Sequence, residues 1–333
     1  MPNSLWVLVL VIGLAIGFAI VNGWNDASNA IATVISTRVL SPRNAIIMAT
    51  VLNLVGAATG LQVAKTVGKG ILIPEAVSYQ VLISSLLAII VWGTLATLRG
   101  LPISLHHGFI AGLVGAATAL WSTKAVVWSV MWPILLAVVA APAIGFASGF
   151  LTMVGLYWLF RRSRPGKVRG IFGILQMSSS AFVAYTHGLN DGQMPIAVIV
   201  MALGIYSGRA DLWSHVPWWV IIVSALSISL GTASGGWRCI RTLGTKLTKI
   251  GPVEGFAAEA SAAAVVEIAS LIGMPVSTTH CISASIIGVG AVRRLSAVRW
   301  GVAGNILSAW ILTFPLCGGL GYLFAWLFRV MKC

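Results

Sequence analysis

Apolar runs of membrane length recur along almost the whole chain, and they restrict the fold more than any motif does. They cover roughly 5–22, 44–64, 77–98, 125–160, 170–187, 213–234, 254–273 and 300–328, and shorter interrupted runs fill 27–37, 103–121, 192–207 and 276–291. About 20 apolar residues in a helix cross a hydrocarbon core. No water is available there to satisfy open backbone, so runs of this length are read as helices. The chain is 58% hydrophobic and 8% charged, whereas soluble domains carry roughly 25% charged residues. The expected fold is an all-α integral membrane protein with about ten to twelve spanning or re-entrant segments. Pro133 and Pro142 are expected to kink or split the long 125–160 run. Leu5 to Val21 has no basic region before it and no cleavage-like end, so it is read as a retained helix and not a signal peptide.

The net charge of +14 does not indicate nucleic acid, because the basic residues fall in short clusters between apolar runs. Positive-inside loops in contact with lipid headgroups account for them. The densest cluster, Arg161 to Arg169, contains Pro165 and Gly166 and reads as a basic cytoplasmic linker. It divides a first membrane repeat, 1–160, from a second, 170–333. Cys239, Cys281, Cys317 and Cys333 show no metal or redox spacing, and no cofactor is expected.

The two halves echo each other. Asn25-Asp26 matches Asn190-Asp191, and Lys65-Thr66-Val67-Gly68 matches Arg241-Thr242-Leu243-Gly244. Pro102-Ile103-Ser104-Leu105-His106-His107 matches Pro275-Val276-Ser277-Thr278-Thr279-His280, and in that register Pro142 meets Pro315. Each Asn-Asp pair follows an apolar run, and an ionisable residue at membrane depth is a functional candidate by default. A bare carboxylate repels an anion, so Asp26 and Asp191 read as sites for a coupling cation, sodium or a proton. Asn25 and Asn190 complete these sites or offer amide hydrogen to an anion. Both pairs are expected at helix breaks, where free N–H groups form an anion site.

Pro102 and Pro275 each open a short apolar run, as Pro does in a first helical turn. Ser104, Ser277, Thr278 and Thr279 then place hydroxyls beside free N–H groups. Alone, such a cluster is ordinary capping; its duplication favours a cradle for a tetrahedral oxyanion. His107 and His280 end the motifs and are candidate proton-responsive groups. His106 has no counterpart and is given less weight. Glu259 and Glu267 share a face of one helix and are candidates for a proton or cation relay, with Glu267 favoured as the deeper. No nucleotide-binding motif or nucleophile–base constellation is present, so neither an enzyme nor a primary pump is expected.

At these residues the chain resembles the inorganic phosphate transporter (PiT) family. Gly23-Trp24-Asn25-Asp26-Ala27-Ser28-Asn29-Ala30 and Gly188-Leu189-Asn190-Asp191 fit its repeated signature. Gly235-Gly236-Trp237-Arg238 and Gly255-Phe256-Ala257-Ala258-Glu259 look like further family segments. The resemblance implies symport of inorganic phosphate with sodium or a proton, through an inverted-repeat fold of broken helices in a bacterial plasma membrane. Sulfate or another oxyanion is the alternative substrate, and an ion channel is a less favoured class. A homodimer is compatible with this reading. The family's first motif usually carries hydroxyls where this chain has Leu105 and His106, so the anion cradle is expected to lean on the second half.

An odd number of spans per half would invert the second repeat. The 65–69 stretch and Arg238–Lys249 should then face opposite sides, with the more basic Arg238–Lys249 in the cytoplasm. Single cysteines placed in each stretch of a Cys-free background should differ in labelling by an impermeant reagent applied from outside. Labelling of both or neither refutes the inversion.

Overall fold

The computed structural model describes residues 4–331, so Cys333 lies outside the described residues. The fold is all-helical, with one isolated bridge between Leu72 and Val126. The first half contains α1 (Leu5–Ser36), α2 (Pro42–Ala58), α3 (Gln62–Gly70), α4 (Tyr79–Arg99), α5 (Leu105–Leu120) and α6 (Trp128–Phe160). The second contains α7 (Pro165–Asp191), α8 (Gln193–Ser207), α9 (Trp218–Ser234), α10 (Trp237–Arg241), α11 (Pro252–Leu271), α12 (Thr278–Arg293) and α13 (Trp300–Val330). α10 continues into a π-helical turn, Thr242–Lys246.

Five described helical segments are long and apolar enough to cross a membrane: α1, α4, α6, the α7–α8 pair and α13. Two bent pairs raise the count to seven, α2 with α3 at 65° and α9 with α10 and its π turn at 60°. The bends fall in matching places, because the second arms carry the repeated Lys65-Thr66-Val67-Gly68 and Arg241-Thr242-Leu243-Gly244. α5 and α12 have 16 residues each, about 24 Å at 1.5 Å per residue. That is shorter than a hydrocarbon core of about 30 Å, so both suit partial entry.

Two of the expected splits are absent. α6 runs unbroken through Pro133 and Pro142, and α13 through Pro315. Neighbouring helices can re-satisfy the backbone groups that Pro frees. α1 also continues without interruption through Asn25 and Asp26. Asn25 cannot cap a helix there, because its side chain bonds to the α4–α5 connection instead. Only the second copy lies at a break: α7 ends at Asp191, and α8 starts after Gly192.

Two apolar clusters form the core. One joins Leu8 to Phe18 of α1 with Met194 to Ala202 of α8 and with α4 and α5. The other joins Ala27 to Val34 of α1 with Val183 and Ala184 of α7 and with α11 and α12. α1 and the α7–α8 pair each pass from one cluster to the other, and the Asn-Asp pairs fall at the crossing. The halves also pack reciprocally: α1 lies on α9 and α2 on α7, while α13 lies on α5 and α6 on α12. Outward faces are apolar, as on α6, where Leu136, Val139 and Leu159 are 70%, 71% and 73% exposed.

Glycines let these helices touch backbone to backbone, as membrane helices do at small residues. A Cβ on Gly23 of α1 would lie 2.0 Å from the Ile228 carbonyl oxygen of α9. One on Gly188 of α7 would lie 2.2 Å from that of Asn53 in α2. Gly23→Ala and Gly188→Ala should each cost about 1–3 kcal/mol by overpacking. Both should lower the melting temperature in detergent. Gly13→Ala, with nothing within 4 Å of the added carbon, should leave it unchanged.

Candidate functional site

At the seam between the two core clusters, Asp26 and Asp191 lie on either side of His187. Each carboxylate residue is 2% exposed and His187 is 1% exposed. The His187 Nε2 stands 3.6 Å from Asp26 Oδ2 and 3.5 Å from Asp191 Oδ2. One ligand atom from each of the three residues falls within 4.8 Å of the others, a group able to hold a metal ion. The other ring nitrogen, Nδ1, is 2.5 Å from Asn53 Oδ1, which fixes the ring.

Each carboxylate is also met by the short helix of the opposite half. Thr279, in the first turn of α12, donates to Asp26 Oδ1 at 2.9 Å. In the other direction, His106 of α5 brings its Nδ1 within 2.7 Å of Asp191 Oδ1. Thr278 donates to Asp191 Oδ2 at 2.7 Å. The N-termini of α5 and α12 therefore point at the carboxylates, and a helix N-terminus stabilises negative charge. Burying a carboxylate without such partners would be prohibitive.

The hydroxyls divide between two tasks. Ser104 and Ser277 are the N-caps of α5 and α12, accepting from the His107 and His280 backbone N–H groups at 3.3 and 3.1 Å. Thr278 and Thr279 face the carboxylates. The asparagines anchor the extended segments that precede the short helices. Asn25 donates to Thr97 Oγ1 at 2.8 Å and to the Leu101 carbonyl at 3.2 Å, and accepts from the Ile103 N–H at 3.1 Å. Asn190 donates to the Val276 carbonyl at 2.7 Å. In the first half the pair addresses two helices, Asn25 the segment before α5 and Asp26 the first turn of α12, whereas Asn190 and Asp191 both address the start of α12.

The structure places the four motif histidines in two settings. His107 and His280 are buried but meet each other, with ring centroids 5.1 Å apart; His280 stacks on Trp310 and His107 lies tilted against Phe314. Their rings pack against aromatic groups, while the discounted His106 and the overlooked His187 reach the carboxylates. His187 could have been noticed, since it lies one turn before Asp191 on the same helix face. The two glutamates also exchange rank. Glu259 is fully buried and accepts hydrogen bonds from Thr33, Ser179 and, at 3.3 Å, Gln176. Glu267 is only half-buried, because Ile268 and Leu271 beside it turn outward, 64% and 61% exposed. Thr33 lies two turns beyond Asp26 on α1, so the Glu259 cluster is a separate polar centre, about 10 Å along the helix. A cavity of about 700 Å³ lies elsewhere, at the C-terminal end of α1, and includes none of these residues.

An all-helical membrane fold with acidic pairs closed inside its crossing helices defines a multi-pass membrane protein with a buried polar centre. Known proteins resemble it along nearly its full length. The model of the phosphate transporter family matches residues 22–321, and the chain belongs to that family. A relative from Rhizobium meliloti (strain 1021), described as a probable low-affinity inorganic phosphate transporter, is 42% identical, with 92% of each chain covered. A Bacillus subtilis (strain 168) relative of the same description is 39% identical over 94% of each. The fold is also that of a solved structure described as the sodium-dependent phosphate transporter, with a TM-score of 0.90 and 24% identity, covering 98% of this chain and 100% of that one. These relatives are described as transporters, and with five or more apolar helices long enough to cross a membrane the chain is a multi-pass membrane protein.

Asn25→Ala should strand the buried Ile103 N–H, at a cost of about 1–3 kcal/mol. Thermal unfolding in detergent should show a clear loss. Asn190→Ala should cost less, because Asn190 Oδ1 has no partner among the described residues. Equal losses would contradict the anchoring roles.

Proposed function

We propose that the protein is a secondary symporter, moving inorganic phosphate with a coupling cation by alternating access. The observation that carries this reading is the meeting of Asp26 and Asp191, one from each half, with the first turns of both short helices in a single buried centre. The carboxylates attract the cation. The cation in turn offsets their repulsion of phosphate and takes the place of the Thr278 and Thr279 hydroxyls on the carboxylates, freeing those hydroxyls to donate to phosphate beside the free N–H groups of the α5 and α12 first turns. Ser104 and Ser277 hold those turns in place. Phosphate and cation therefore need each other, which is the physical basis of coupling. Family membership and the relatives' descriptions support phosphate as the substrate, and the sodium dependence of the structural neighbour supports sodium as the ion.

The halves, 1–160 and 170–333, act as inverted repeats in this reading, joined by the basic 161–169 linker. α1 and the α7–α8 pair correspond in sequence register. The N-terminal part of α1 lies with α8 and its C-terminal part with α7, so the two run antiparallel. Antiparallel repeat partners crossing at the site suit a transporter in which one half rocks against the other.

Uptake of labelled phosphate into proteoliposomes with imposed sodium or proton gradients tests the proposal. Uptake should be gradient-driven, saturable and weakly inhibited by sulfate. Asp26→Asn and Asp191→Asn should abolish it while leaving folding and insertion intact. Uptake independent of any cation gradient, or wild-type coupling in both variants, would overturn the reading.

A further inference from the structure

Several bases gather around a cavity that the buried centre does not use. It encloses about 400 Å³ and is lined by Lys249, Arg293, Arg294, Ser296, Ala297 and Arg299, with no carboxylate in its wall. Lys249 follows the π turn of the second half, Arg293 and Arg294 end α12, and Arg299 precedes α13. Hydrogen bonds lace these segments together. The Arg299 N–H donates to the Leu247 carbonyl at 3.0 Å, and Thr248 Oγ1 donates to that of Ala297 at 3.1 Å. The four basic side chains are exposed, and none forms an ion pair among the described residues. Glu254, the acid nearest Lys249 in sequence, accepts instead from the Gly251 N–H at 3.0 Å. Four like charges without a carboxylate among them repel one another and favour an anion in their midst.

Arg299 is followed directly by Trp300, which lines a second, apolar cavity of about 190 Å³. Phe146 of α6, Ile287 of α12, and Leu307 and Trp310 of α13 form the walls of this groove. Trp300 Nε1 donates to the Leu295 carbonyl at 2.9 Å, which holds the indole between the basic cavity and the groove. Trp is enriched at the boundary between membrane and water. From Trp300 to Trp310 the groove follows α13 for about 15 Å, the depth of one leaflet of a hydrocarbon core about 30 Å thick. Its outer lip is open, since Trp300 and Leu307 are 51% and 47% exposed. A free anion would have no use for the groove, and a zwitterionic lipid none for four bases. A charged entrance with an apolar channel leading inward matches a phosphate headgroup carrying an acyl chain.

We propose that this two-part site binds one anionic phospholipid of the cytoplasmic leaflet, with its phosphate among Lys249, Arg293, Arg294 and Arg299 and one acyl chain along the groove between α6, α12 and α13. Lys249 belongs to the Arg238–Lys249 stretch expected in the cytoplasm, and anionic lipids of the cytoplasmic leaflet attract basic segments. The lipid rests on the C-terminal half of α12, the helix whose first turn meets both carboxylates. It thereby links the position of that helix to the composition of the membrane. The assignment does not depend on the symport reading.

Native mass spectrometry of the purified full-length protein, titrated with lipids of matched chains, tests this. Phosphatidylglycerol should bind about tenfold or more tighter than phosphatidylcholine. Arg294→Gln with Arg299→Gln should remove most of that preference. Arg162→Gln with Lys167→Gln, at two exposed linker bases outside both cavities, should leave it unchanged. Leu307→Asn, in the groove, should weaken both lipids about threefold or more while keeping the preference. Inorganic phosphate and glycerophosphoglycerol, the headgroup without its chains, should not displace the bound lipid at millimolar excess. Melting in lipid-free detergent identifies any variant that fails to fold, and the wild-type competition decides the site without it. Equal wild-type affinity for the two lipids, or equal losses in the linker pair and the cavity pair, would overturn the proposal. Displacement by inorganic phosphate would mark a free-anion site and overturn it too. So would undiminished affinity in a folded Leu307→Asn variant, since headgroup attraction alone would then account for binding.

Discussion

Everything in the centre follows from the need to keep two carboxylates deep in an apolar protein. An unpaired buried charge is too expensive to persist. The chain solves this by exchange: α12 of the second half brings Thr279 to Asp26, and α5 of the first half brings His106 to Asp191. Each half is incomplete without the other at that point. The same exchange appears in the packing, where α13 lies on α5 and α6 lies on α12. The polar centre and the interlocked helices are therefore one feature described at two scales.

The short helices can serve this purpose because their starting points are fixed from outside. Asn25 binds the extended segment between α4 and α5 through both its amide and its carbonyl. Asn190 holds the corresponding segment before α12 through one bond. Ser104 and Ser277 then cap the helices. The first turns point inward with free N–H groups, and the charges that balance them are the carboxylates adjacent in sequence to the anchoring asparagines.

Much of this was legible in the sequence. The helical membrane fold followed from the length of the apolar runs, and the repeated Asn-Asp and Pro-x-Ser motifs marked the elements that meet. What failed was local. Asn25-Asp26 looked like a helix break because Asn and Asp favour caps, yet a residue whose side chain bonds to a distant loop has nothing left with which to cap. Pro133 and Pro142 looked disruptive, but an embedded helix can find its missing bonds in neighbours. The histidines were ranked by motif symmetry, which favoured His107 and His280. The carboxylates are reached instead by His106 and His187, where the two motifs differ. Glu259 was undervalued because its place near the start of a run suggested exposure, whereas α7 and α1 cover that end of α11.

The continuity of α1 through Asp26 ties the buried centre to a second polar cluster. α1 is a single rod of 32 residues, about 48 Å long at 1.5 Å per residue. Asp26 and Thr33 belong to it rigidly, so any tilt that displaces one displaces the other and drags on the hydrogen bond to Glu259. α7 and α8 meet at Gly192, whose backbone is itself helical, so the 165–207 stretch is also one long segment. Asp26 is thus fixed to a lever that reaches the second polar cluster, and Asp191 lies within the rod that crosses it.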